Sequence, residues 1–338
     1  MIHLRRRELV AGGLAALATR ASAQAPRERV KIGVLPTAGA GPMFVALAKG
    51  YFAAEGLDAE IVKFDNAQTL AVSIAAGDLD FGATSLAVGF YNLAAQGVMR
   101  IIAAQGRDNA GFPNNGYVVS NEAWEKGLRS FKDMKGHTVG VSTLGSAPHY
   151  CVGLIADKYG FPMSSVNVET LKTNPNIVAT IAGNRVDSAI TPSTFALSIA
   201  RANQGKLIGW IGDEAPWQLG AAYTSTKIAD GRAEFVDRFL RAYRRGMVDY
   251  ADAFIAPDGS RKDGPTADAI LAIMSRDLDQ PAELLRAGIT WVDREARLDA
   301  ADIRRQIAWY KTQGLIEGAV DAAALVDKRY AGILPGKE

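Results

Sequence analysis

Four short stretches of this 338-residue sequence put hydroxyl, amide or glycine residues directly ahead of an apolar run with helical spacing: residues 37–42, 66–68, 84–85 and 142–148. The first amides of a helix have no intrahelical acceptor and the helix dipole is positive there, so such stretches suit the recognition of negative groups. Ser142-Thr143-Leu144-Gly145-Ser146-Ala147-Pro148 is the clearest of them. Ser142 and Ser146 can donate, Gly145 permits close approach, and Pro148 occupies a first turn where no amide is lost. One such loop alone is ordinary N-capping. Several on one edge of a fold make a shared site, for which Thr37, Gly39, Met43, Asn66, Gln68, Thr84 and Ser85 are the candidates in the first part of the chain.

Two larger side chains join them. His149 falls in the first turn after the Ser/Gly loop, within reach of the same edge, and Trp217 sits beside Pro216 in a segment that reads as a crossover. An aromatic there either closes over a ligand or packs the hinge.

Catalytic chemistry is poorly provided for. Outside the first 23 residues there are two histidines, His137 and His149, and one lone imidazole is weak ground for acid–base catalysis. No His, Cys and carboxylate set has metal-ligand spacing, and no Gly-x-Ser-x-Gly elbow is present. Gly39-Ala40-Gly41 lacks the third glycine of a dinucleotide fingerprint, Phe44 standing in its place. Asp78 and Asp80 read as turn residues. No catalytic residue, metal or cofactor is expected.

The elements that position the candidates alternate between strand and helix, which predicts doubly wound parallel sheets. Strands are expected at residues 30–35, 57–64, 79–83 and 98–104, then at 117–120, 137–141, 166–171, 186–190, 207–211 and 221–224. The turn-forming segments 106–116 and 212–220 read as two crossovers. Lobe 1 then comprises residues 28–110 and 215–338, lobe 2 residues 111–214, with helices filling the C-terminal region. A module occurs in both lobes: Asn66 opens a helix that ends at Gly77, followed by a strand reaching Thr84-Ser85, and Asn174-Pro175 opens one that ends at Gly183, followed by a strand reaching Thr191-Pro192-Ser193. Each glycine is expected to take a left-handed conformation. The second copy adds Asn174, Thr191 and Ser193 to the candidates, at the carboxyl edge where open α/β sheets bind ligands.

The amino terminus reads as an export signal of residues 1–23. Arg5, Arg6 and Arg7 precede a short apolar run, and Ala21-Ser22-Ala23 offers a cleavage site. Arg6-Arg7-Glu8-Leu9-Val10 resembles a twin-arginine signal, with Arg5 where Ser or Thr is usual. Removing the segment takes away four arginines and one glutamate, which turns a formal charge of +2 into −1. The remainder is near neutral and has no basic stripe, so a nucleic-acid partner is not expected. The single cysteine, Cys151, allows no internal disulfide and lies far from the cleavage site, which points to a product without a lipid anchor.

With these residues in view, the chain resembles the type II periplasmic binding proteins that serve ABC importers of sulfonates, taurine, nitrate and thiamine precursors. The likeness is carried by Ala48-Lys49-Gly50-Tyr51-Phe52-Ala53-Ala54-Glu55-Gly56-Leu57, by Ala76-Gly77-Asp78-Leu79-Asp80-Phe81-Gly82, by Gly140-Val141-Ser142 with Gly145-Ser146, by residues 183–189, and by Tyr310-Lys311-Thr312-Gln313-Gly314-Leu315-Ile316. It implies two α/β lobes joined by two crossovers, a ligand between them, and closure by hinge motion. It also implies a periplasmic monomer that hands its solute to an inner-membrane permease with a cytoplasmic ATPase. No lysine or arginine falls in the expected cleft loops except Arg107 at the crossover, so the expected ligand is a small organic anion, a sulfonate or an aromatic carboxylate, held by amides and hydroxyls, with a neutral or pyrimidine-like ligand as the open alternative. Two alternatives stand beside this reading: an enzyme on the same fold, such as a lyase or a thiamine-pyrimidine synthase, and a solute-binding partner of a sensor. The synthases of that group carry a cysteine-rich motif with a reactive histidine, which Cys151 alone does not match.

Overall fold

The computed structural model describes residues 26–338. The export signal, the twin-arginine pair and the cleavage site therefore lie outside the described residues.

The chain builds two five-stranded sheets. The first half runs β1 (Glu28–Val34), α1 (Gly41–Ala48), α2 (Tyr51–Ala54), β2 (Leu57–Lys63), α3 (Ala67–Ala76), β3 (Phe81–Ser85), α4 (Val88–Ala95) and β4 (Met99–Asp108). The second sheet follows with β5 (Asn115–Ser120), α5 (Asn121–Glu125), β6 (Thr138–Val141), α6 (Ala147–Tyr159), β7 (Asn167–Thr170), α7 (Asn174–Ala182), β8 (Ser188–Pro192), α8 (Ser193–Arg201), β9 (Gly205–Trp210) and α9 (Ile211–Glu214). The chain then returns through β10 (Trp217–Ser225) and ends in α10 (Thr226–Gly231), α11 (Ala233–Phe254), α12 (Ala267–Leu278), α13 (Ala282–Ala287), α14 (Ala300–Thr312) and α15 (Ala322–Leu325). The sheet orders are β2-β1-β3-β10-β4 and β7-β6-β8-β5-β9. These are the two α/β lobes and helical tail expected from the sequence.

Four expectations are corrected. The sheets are mixed: β10 runs antiparallel to β3 and β4, and β5 antiparallel to β8 and β9. Each is the strand by which the chain enters a sheet from a crossover, so it arrives from the opposite end. The crossovers are shorter than their turn-rich composition suggests, because β4 extends to Asp108, β5 begins at Asn115 and β10 begins at Trp217. Helix α8 was not expected from the sequence. Its hydroxyl residues Ser193, Thr194 and Ser198 favour turns over helix, and burial of Ala196 and Ile199 overrides that preference. In the repeated module, Gly77 is left-handed (φ 86°), but Gly183 is not; Asn184 takes that conformation (φ 53°) in the longer turn. Asn is the residue after Gly that tolerates it best.

The core has two main bodies. One lies under β1–β3 and packs α1 and α12 on α11, with Phe81 stacked on Phe239 at 3.9 Å between ring centres. The other is continuous across both lobes. Tyr91 of the first, Tyr150 of the second, Trp217 of the returning strand and Trp309 and Tyr310 of α14 pack edge to face or tilted, with centres 5.1–5.9 Å apart. Such pairs add to the burial of their own area.

Helix α6 receives Trp309 at Gly153, where a Cβ would come within 2.3 Å of the indole. A mid-helix glycine costs about 1 kcal/mol relative to alanine, whereas forcing a methyl into a filled core costs about 1–3 kcal/mol. The Gly153→Ala variant is therefore expected to be less stable than the parent in urea unfolding, opposite to what helix propensity alone predicts. A stabilised variant would show that Trp309 can move aside freely.

Candidate functional site

A cavity lies between the two lobes, and the carboxyl ends of strands from both sheets face it. It amounts to about 710 Å³ of empty space, part of it open to solvent. The first turns or N-caps of five helices contribute to its wall: Asn66, Ala67 and Gln68 of α3, Ala87 of α4, Ser146, Ala147 and Pro148 of α6, Asn174 of α7 and Pro192 of α8. β3 and β4 add Thr84, Ser85 and Gln105, and the first crossover adds Asn114 with Asn115 at the start of β5. Leu35 and Leu219 supply apolar surface.

The local capping explains which groups remain available. Asn66 Oδ1 accepts from the amide of Thr69, and Thr173 caps α7 in the same way. Helix α6 differs. Its N-cap Ser146 makes no capping bond, and Ser146 Oγ is buried without a partner among the described residues. Asn114 Nδ2 and Gln105 Oε1 are in the same condition. These three side chains are only 7%, 6% and 3% exposed, and buried polar atoms are rarely left unpaired. Three such residues line this one cavity.

The lobes are closed around this space. Gln68 of α3 donates to Leu144 O (3.0 Å) and accepts from Thr143 Oγ1 (2.9 Å), both on the opposite lobe. Val88 N donates to Gly145 O at 2.8 Å. Gly145 is left-handed (φ 72°), and a Cβ there would overlap the Val88 side chain at 2.3 Å.

Of the sequence candidates, Thr37, Asn66, Gln68, Thr84, Ser85, Ser142, Ser146 and Asn174 line the cavity. The other seven are placed behind or beside it. Gly39 accepts from Gln105 Nε2, Met43 is buried in the first core, and Thr191 Oγ1 donates to Asn174 Oδ1. Ser193 packs against Gly288. Gly145 forms the seam with Val88. His149 Nδ1 accepts from the amide of Gly145 at 3.0 Å and its ring meets Trp309 edge-on; burial lowers its pKa to about 4, so it stays neutral near pH 7. Trp217 is fully buried at the hinge, where Nε1 donates to Asp108. Gln105, Asn114, Asn115 and Asp65 were missed as candidates. Asn114 and Asn115 lie in a segment that reads as a plain turn, and Gln105 in what reads as the end of a buried strand. Arg107 turns away and pairs with Asp299 at 2.6 Å behind the hinge. Among the described residues the cavity wall holds no lysine or arginine, and Asp65 is its one charged side chain. Among the described residues, no group of three or more metal-ligating side chains is assembled.

Both crossovers meet at Asp108. Its Oδ2 accepts from Asn115 Nδ2 (2.9 Å) at the start of β5 and from Trp217 Nε1 (3.2 Å) at the start of β10. Burial pushes its pKa up to about 7 although these bonds pull the other way; Asp213 adds to the rise.

The profile of the NMT1/THI5-like family matches residues 38–258. The chain belongs to that family. Curated proteins of Brucella abortus and Brucella suis, named as binding proteins, are 30% identical over 146 residues, which is 43% of this chain and 41% of theirs. The match thus spans about two fifths of the length of these relatives. Among solved structures, the alkanesulfonate-binding protein of Xanthomonas axonopodis pv. citri, bound to MOPS, superposes with a TM-score of 0.70 at 15% identity, covering 90% of this chain and 99% of that one. The periplasmic nitrate-binding protein of Synechocystis PCC 6803 gives 0.70 at 16%, covering 89% and 86%. At these identities the likeness is one of fold, and the fold is that of periplasmic binding proteins.

Two predictions follow from the seam and the hinge. Gly145→Ala places a methyl in Val88 and in a left-handed backbone that costs about 1–2 kcal/mol; the variant is expected to favour an open form, read as a larger radius of gyration by small-angle scattering. An unchanged radius would show that the seam does not hold the lobes. For Asp108, a carboxyl with a raised folded-state pKa contributes stability that is fully present below its unfolded value and is lost as pH rises through the folded one, here from about pH 4 to about pH 7. Asp108→Asn should therefore lose less stability over that window than the parent in urea unfolding followed by tryptophan fluorescence; parallel pH profiles would contradict the assignment.

Proposed function

We propose that this protein is a periplasmic solute-binding component of an ABC importer that captures a small organic anion, a sulfonate or an aromatic carboxylate, and releases it to a permease. The observation that carries this reading is the convergence of five helix N-termini and unpartnered buried polar groups on one cavity whose wall has no cationic side chain among the described residues. Oriented amides stabilise an anion without the desolvation of a lysine or arginine. The hydrocarbon part of the ligand fits against Leu35, Leu219 and Pro192. Neighbours of the same fold that bind an alkanesulfonate or nitrate support the anion class.

The closed seam supports capture and release by hinge motion, and Asp108 and Trp217 lie where both crossovers bend. Binding without turnover belongs to the same reading, since Asp65 is the one carboxyl or imidazole group on the wall among the described residues. Export through residues 1–23, by the twin-arginine route, would bring the protein to the compartment where such a component works.

The test is thermal-shift screening of the purified protein with alkanesulfonates, benzoate and nitrate, followed by calorimetry. A bound anion at about 100 times its dissociation constant stabilises the fold by about 2.7 kcal/mol. Ser146→Ala and Thr84→Ala should each weaken binding roughly tenfold, about the worth of one hydrogen bond to a charged group. No shift with any anion, or unchanged affinity in both variants, would sink the proposal.

A further inference from the structure

The fully buried carboxyl group of Asp108 is held by both lobes at once. Asp108 ends β4 and pairs with Trp217 across the ladder, so Trp217 Nε1, which donates to Oδ2, belongs to the same sheet. The second donor to Oδ2, Asn115 Nδ2, starts β5 of the other sheet. Oδ1 has no donor among the described residues and is sealed by Gly212 of α9, where a Cβ would lie 2.4 Å from it. Because α9 directly follows β9, this cover also comes from the second lobe. Rotation of the lobes against each other moves Asn115 and Gly212 relative to Asp108, while the Trp217 bond stays within one sheet. The charged and titratable groups that face Asp108 do not compensate it. Asp213 of α9 is a like charge, and the Cys151 thiol of α6 is kept neutral by burial. Arg107, beside it in β4, is turned to Asp299.

An ionised oxygen sealed from water with no donor is costly, and a neutral carboxyl much less so. The cost belongs to the closed form and is relieved when Gly212 moves off and water reaches Oδ1. We infer that Asp108 couples closure to a proton: its carboxylate takes one proton from solvent as the lobes close on a ligand and returns it as they open. The window runs from about 4, the ordinary value of a carboxyl in water, to the closed-state value of about 7. A carboxyl whose value is raised in the closed form favours closure fully below its open-state value, and that contribution is lost as pH rises through the closed-state value. Affinity is therefore greatest in mildly acid solution and declines as the pH rises to about 7. Asn115 also lines the cavity. A bound anion on its far side adds a like charge near Asp108 and strengthens the effect in the same direction. This rests on the proposed capture of an anion and goes further, because it sets the condition under which the anion is released.

The experiment is calorimetry on the full chain with ethanesulfonate and nitrate, which do not titrate between about pH 5 and pH 8, in paired buffers of different ionisation enthalpy. The reference is Asp108→Asn, which keeps an acceptor for Asn115 and Trp217 and carries no charge. At about pH 6 the parent should take up close to one proton more on binding than this variant does. The parent's affinity should be roughly 10- to 100-fold higher at about pH 5 than at about pH 8, and the variant's should change much less. Comparing the two removes any part due to His149, which burial shifts in the opposite sense. Equal proton uptake in the parent and the folded variant would overturn the inference and leave anion binding intact. Should Asp108→Asn not fold, Asn115→Ala takes its place. It removes a bond that favours the ionised form, so the midpoint of proton uptake should move to higher pH, and an unmoved midpoint would overturn the inference. If neither anion binds the parent, the proposed function fails, and small-angle scattering of the free protein decides the hinge by itself. A smaller radius of gyration at about pH 5 than at about pH 8 supports the coupling, and equal radii overturn it.

Discussion

The chain crosses between its lobes twice, and the rest of the architecture depends on how those crossings are pinned together inside the protein. Strands β4 and β10 pair antiparallel up to the hinge, and the side chain of Gln218 bridges them by donating to Gly106 O and Gly220 O. Asp299 N donates to Gln218 Oε1, Gln218 N to Asp302 Oδ2, and Gln306 Nε2 to Gln218 O, so the start of α14 is tied to the same point. On the other face of the hinge Asp108 gathers Asn115 and Trp217. This network holds the two crossings in register.

Helix α14 carries that constraint to the cavity. Trp309 seats against Gly153 of α6, and Tyr310 donates to Ser146 O at 3.2 Å. The amino end of α6 is thus held from behind by the C-terminal region, although the two are far apart in sequence. This leaves Ser146 Oγ free of any structural duty. The same division recurs elsewhere at the site: Thr191 positions Asn174, and Gly39 and Ala83 position Gln105. Groups behind the wall supply rigidity, while Ser146 Oγ, Asn114 Nδ2 and Gln105 Oε1 are left unpaired.

The electrostatics follow from that arrangement. On the proposed reading, a wall without a cation among the described residues would hold an anion through aligned amides, whose field is strong close by and fades within a turn of helix. Recognition then depends on where hydrogens and lone pairs point more than on net charge. His149 fits this picture, because burial keeps the ring neutral and its Nδ1 serves the backbone of Gly145. The family to which the chain belongs and the binding-protein fold it shares with sulfonate- and nitrate-binding neighbours agree with such a cavity, while the ligand is set by details that differ between members.

The sequence by itself determined the alternation of strands and helices, the two lobes, the repeated module and the loops that open α3 and α6, because periodicity, caps and turn residues are local properties. It therefore led to Thr37, Asn66, Gln68, Thr84, Ser85, Ser142, Ser146 and Asn174, all of which lie on helix starts, strand ends or Gly-rich loops. Tertiary structure alone decided that β5 and β10 run antiparallel, that Ser193 starts a helix, and that Asn184 rather than Gly183 takes the left-handed turn. It also decided that Trp217 is a hinge residue and that Gln105, Asn114 and Asn115 face the cavity. These depend on which segments meet across distances of many residues, and the burial and unpaired hydrogen-bonding groups that mark a site come into being only when they do.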